Sequence, residues 1–73
     1  MEKVIDTVFG EVKLRGAMID TDGTNLESGV EIKLDDELIG EVIGISYSSV
    51  EDMTVEEVEE FVENNCDIFR KLL

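Results

Sequence analysis

Along the first two thirds of the chain apolar residues alternate with polar ones, and after residue 54 they recur every three or four positions. A period of two puts successive side chains on opposite faces of a strand, whereas a period of 3.6 gathers them on one stripe of a helix. The first regime predicts four strands. Residues 3–9, KVIDTVF, are rich in β-branched side chains, and Gly10-Glu11 offers a tight turn into a second strand over 12–19. Pairing Phe9 with Val12 sets Thr7 opposite Leu14 and Ile5 opposite Gly16. The polar stretch 20–29 reads as a connection, with Gly23 and Gly29 available for positive φ. A third strand follows over 30–34, with Val30, Ile32 and Leu34 on one face, then a turn at Asp35-Asp36-Glu37 and a fourth strand over 38–47. Pairing Leu34 with Ile39 sets Val30 opposite Ile43 but places Glu41 opposite Ile32 on the buried face. That conflict predicts a β-bulge at Gly40 or Gly44 that re-aims the carboxylate.

The second regime predicts one amphipathic helix over 55–72. Thr54-Val55-Glu56-Glu57 has the form of a capping box, in which the threonine hydroxyl and the glutamate carboxylate each accept from the other's backbone amide. Val55, Val58, Phe61, Val62, Cys66, Phe69 and Leu73 make the apolar stripe, with Ile68 and Leu72 on its flank. Glu56 and Glu57 in the first turn, and Arg70 and Lys71 in the last, suit the helix dipole. The expected fold class is α+β: a four-stranded, mainly antiparallel sheet and one C-terminal amphipathic helix packed on one face, ββββα, in a single domain over residues 1–73. The other face of the sheet is left uncovered, with some apolar content at Leu38 and Val42.

Charge changes what such a fold can meet. Nineteen acidic residues against six basic ones give a formal net charge of −13 and a pI near 4.1. Free nucleic acid and anionic membrane surfaces need a basic patch, which six scattered cations do not supply. With 42% hydrophobic residues in periodic placement, the acidity belongs to a folded domain rather than to a disordered tail. One cysteine excludes an intramolecular disulfide, and Cys66 reads as a small buried hydrophobe. The opening residues lack the basic and apolar runs of a signal peptide, and no apolar stretch reaches membrane-spanning length, so the expected location is cytoplasmic.

Catalysis fits the composition poorly. The chain has no histidine, hence no imidazole base, triad or imidazole-ligated zinc. The serines of SYSS (46–49) have neither a partner base nor the glycine pattern of a nucleophile elbow and read as strand end and loop, with Tyr47 as a core-edge aromatic. Asp20, Asp22 and Glu27 have a faint likeness to a calcium loop, yet Gly23 stands fourth rather than sixth and the flanks read as strands. A turn built on Asp22-Gly23 accounts for the same residues without an ion. The expectation is a protein that is not an enzyme and carries no cofactor or metal.

The remaining feature is a crowd of carboxylates. Glu56, Glu60, Glu63 and Asp67 fall on a single helical stripe opposite the apolar one, with Glu59 beside it. Like charges at that spacing cost an isolated helix about 0.2–0.5 kcal/mol per pair. One reading is a solvated face, which mixed charges would serve as well without repulsion. The other is a surface that docks a basic protein surface, with Asp35, Asp36, Glu37, Glu51 and Asp52 as further members and inhibition by nucleic-acid mimicry as its sharpest form. The alternative function is a small homo-oligomeric structural or assembly protein whose acids only keep it in solution.

Overall fold

A computed structural model describes residues 1–66. Four strands, β1 (Glu2–Thr7), β2 (Gly10–Asp20), β3 (Leu26–Leu34) and β4 (Glu37–Ile43), form one antiparallel sheet in the order β1-β2-β3-β4. A single 3-10 turn, Tyr47–Ser49, leads to helix α1 (Val55–Asn65), which packs across the sheet against β1 and β4. The ββββα arrangement expected from the two periodicities is the one observed.

The registers differ from the simplest pairing, each for a local reason. In the first hairpin Thr7 pairs with Gly10, Ile5 with Val12 and Lys3 with Leu14, so the turn is Val8-Phe9 and not Gly10-Glu11. Thr7 supplies what fixes it: its hydroxyl accepts from the Phe9 amide at 3.1 Å and donates to the Gly10 carbonyl at 2.9 Å. The expected pairings of Phe9 with Val12, Thr7 with Leu14 and Ile5 with Gly16 are corrected by four residues, an even slip that leaves every side chain on its expected face. β3 begins at Leu26 rather than 30, because Leu26, Glu27, Ser28 and Gly29 pair with Asp20, Ile19, Met18 and Ala17. The run Glu27-Ser28-Gly29 offers no apolar side chain, so this part of β3 lacks the alternation that marks a half-buried strand.

The last hairpin turns at Asp35-Asp36, both at positive φ (49° and 70°), the conformation that two-residue hairpin loops favour and that Asp tolerates better than most residues. Leu34 pairs with Glu37 and Lys33 with Leu38, and then the register shifts so that Ile32 meets Gly40, Glu31 meets Glu41 and Val30 meets Val42. The extra residue is Ile39. The bulge demanded by Glu41 therefore exists beside Gly40, and it moves that carboxylate to the open face opposite Glu31. By the same shift Val42 packs against the core, which corrects its expected place on the uncovered face. β4 ends at Ile43, short of the expected residue 47.

Val12, Leu14, Val30, Ile32, Val50, Val58 and Val62 form the fully buried core. Val50 comes from the segment after the 3-10 turn, where no periodicity pointed to it. Tyr47 is half-buried at the core edge, as expected, and lies on Gly16, where a Cβ would stand 2.9 Å from the tyrosine Cβ. The capping box is present: Thr54 Oγ1 accepts from the Glu57 amide at 3.2 Å, and Glu57 Oε1 accepts from the Thr54 amide at 2.9 Å. Val58 and Val62 are buried and Phe61 and Cys66 partly so, but Val55, assigned to the stripe, is 38% exposed. The helix expected over 55–72 is broken at Cys66, whose backbone is extended (φ −138°, ψ 152°). Cys66 settles on Gly40, where a Cβ would lie 2.7 Å from its Sγ. The expectations for Ile68, Phe69, Arg70, Lys71, Leu72 and Leu73 lie outside the described residues.

Candidate functional site

The acidic surface begins in the turn before α1 and continues along the helix. Glu51, Asp52, Glu56, Glu60 and Glu63 are exposed, and among the described residues their side chains make no hydrogen bond or ion pair. The helical rise sets Glu56 and Glu60 about 6 Å apart along the axis, and Glu60 and Glu63 about 4.5 Å apart. The buried positions Val58 and Val62 fix which side of α1 faces the sheet and so leave these carboxylates facing solvent. Residues 44–66 contain no lysine or arginine at all.

Other members of the expected binding set are occupied within the fold. Glu59 is half-buried, and its Oε2 accepts from the Val8 amide at 2.7 Å, which ties α1 to the first hairpin turn. Asp35 Oδ1 accepts from the Glu11 amide at 3.0 Å while the Glu11 carbonyl accepts from the Asp35 amide at 2.8 Å. Asp36 pairs with Lys13 at 2.7 Å; the bond and the ammonium charge hold the Asp36 carboxyl below the usual carboxylate range and raise the Lys13 ammonium above its own. Glu37 opens β4 at an exposed position, and Asp67 lies outside the described residues. Asp35 and Asp36 are thus each bonded to a residue of β2, Asp35 to Glu11 and Asp36 to Lys13. The turn residues' role was hidden in the sequence, because only the hairpin register brings Glu11 and Lys13 to them.

Cations are as unevenly placed as the free acids. Lys3, Lys13, Arg15 and Lys33, the basic residues among those described, all lie on β1, β2 and β3. On the open face Glu2, Arg15, Glu31 and Glu41 form one cross-strand row, with Arg15 4.0 Å from Glu31. The neighbouring row is Val4, Lys13, Lys33 and Leu38. On the covered face Lys3 Nζ donates to the Glu51 carbonyl at 2.9 Å, so even this cation meets the acidic turn through backbone. The restriction of these four cations to residues 3–33 was a signal in the sequence that the acidic stripe overshadowed.

Elsewhere the structure offers little for chemistry. Asp22 accepts at Oδ1 from the Thr24 amide, the Thr24 hydroxyl and the Asn25 amide (3.0, 2.9 and 3.0 Å), and at Oδ2 from the Asn25 side chain at 3.2 Å. These bonds hold its carboxyl below the usual range, the Thr24 amide first among them. Asp20 Oδ1 accepts from the Gly23 amide at 2.6 Å, so both carboxylates serve their own turn. Among the described residues no three Asp, Glu or Cys side chains are grouped to share an ion. Burial pushes the Cys66 thiol up, toward the unreactive protonated form. The Ser46 and Ser48 hydroxyls bond each other at 2.7 Å. Two adjoining open hollows, of about 410 and 610 Å³, lie on the helix side of the β2–β3 ribbon between Tyr47, Met18 and Leu26, and neither brings two carboxylates together. Among the described residues no helix is long and apolar enough to cross a membrane. Comparison with protein-family models, with curated proteins and with solved structures found no match.

Proposed function

We propose that this protein is a non-enzymatic binding or regulatory protein whose acidic turn and helix dock a basic surface on another protein. The observation that carries the reading is the segregation of charge: Glu51, Asp52, Glu56, Glu60 and Glu63 stand exposed in a segment with no cation, while the described cations lie on the strands. A face that only kept the protein in solution would gain nothing from excluding lysine and arginine, and the exclusion leaves like charges at helical spacing that oppose folding. Mimicry of duplex nucleic acid is the less favoured form of the proposal. The longest dimension is 37 Å, over which the net charge of −13 averages roughly one per 3 Å, against about one per 1.7 Å for duplex DNA. Asp35 and Asp36 are already counted in that figure, and Asp36 is paired with Lys13.

The test exchanges Glu56, Glu60, Glu63 and Asp67 for glutamine and asparagine and compares affinity capture from the native host at low and high salt. The expected result is loss of a basic partner that the parent retains at low salt and releases as salt rises. A variant that retains every partner of the parent at every salt concentration removes the helix from the binding surface. A second reading, homo-oligomer formation, is favoured by exposed Val4, Leu38 and Ile43 on strands whose open face α1 leaves uncovered. Sedimentation of the parent separates the two, since the docking proposal expects a monomer in the absence of the partner.

A further inference from the structure

We draw no further inference here: the strongest candidate, the open hollow on the helix side of the β2–β3 ribbon between Met18, Leu26, Ile45 and Tyr47, is an unpartnered surface, and nothing in the structure shows what covers it.

Discussion

On the open face of the sheet Glu31 stands between Arg15 on one neighbouring strand and Glu41 on the other, whereas on α1 Glu60 has glutamates one helical turn away on either side and no cation in its segment. Both surfaces are acid-rich. On the sheet Glu31 has one cationic and one acidic cross-strand neighbour, with Lys13 and Lys33 in the next row, so its charge is partly offset. On the helix the same residue type stands in unmixed company and raises the energy of the folded state. An acid count alone would score the two surfaces alike, yet among the described residues only the sheet mixes cations with its carboxylates.

The largest effect should separate the surfaces by burial. Val62→Asp places a charge in the core with no partner, and it should remove most or all of a stability of roughly 4–11 kcal/mol for a domain of this size. Val4→Asp on the open face should change stability by no more than about 0.5 kcal/mol. Thermal melts of the two variants followed by circular dichroism would reverse the assignment of faces if Val4→Asp were the one to lose its cooperative transition. Thr54→Ala, which removes one half of the capping box, should cost about 1 kcal/mol. For a domain of 60–100 residues that is a fall of about 4–8 °C in thermal midpoint. A midpoint unchanged within 1 °C would mean that the cap contributes nothing in solution.

Smaller effects test the charge contrast itself. Glu60→Gln with Glu63→Gln should raise stability by a few tenths of a kcal/mol by relieving repulsion within α1. Asp36→Asn should lower it slightly through loss of an exposed ion pair. Added salt should shrink both differences, and midpoints that moved in the same direction for both variants would dissolve the contrast. The pH dependence has a definite sign. Asp22 and Asp36 titrate lower in the folded protein than in the unfolded chain, so their contribution is complete above the unfolded carboxylate value of about 3.9 and is lost as pH falls through the folded values. Lys13 is raised, so its share persists below its unfolded value near 10.4 and is lost at higher pH. Asp22→Asn and Asp36→Asn together should therefore flatten the decline of the thermal midpoint between pH 4 and pH 2, and a decline as steep as the parent's would show that neither carboxylate contributes.

The elements legible in the sequence were those in which local and long-range preferences agree. Thr54 and Glu57 announce the start of α1 because the cap is a contact within four residues, and Glu41 announces a bulge because the period of two would otherwise bury it. The end of α1 was not legible. The apolar stripe runs past Cys66, and the helix stops where the cysteine meets Gly40, a residue distant in the chain. The first turn was misplaced because a glycine outweighed a threonine, although the Thr7 hydroxyl sets the loop. Of the candidate surface, the helix positions followed from spacing alone. The engagement of Glu59, Asp35 and Asp36 depends on Val8, Glu11 and Lys13, which only the assembled sheet delivers.

The bond from the Val8 amide to Glu59 makes one proton a reporter on the helix as a whole. Val8 occupies a hairpin turn and is 78% exposed, a setting in which an amide would exchange with solvent almost at the rate of an unstructured peptide. Its acceptor belongs to α1, so protection at Val8 lasts only while the helix is seated. A spectrum that resolved this single amide would register undocking of α1 as faster exchange before the strands open. It would also register any basic ligand that drew the Glu59 carboxylate away from the turn.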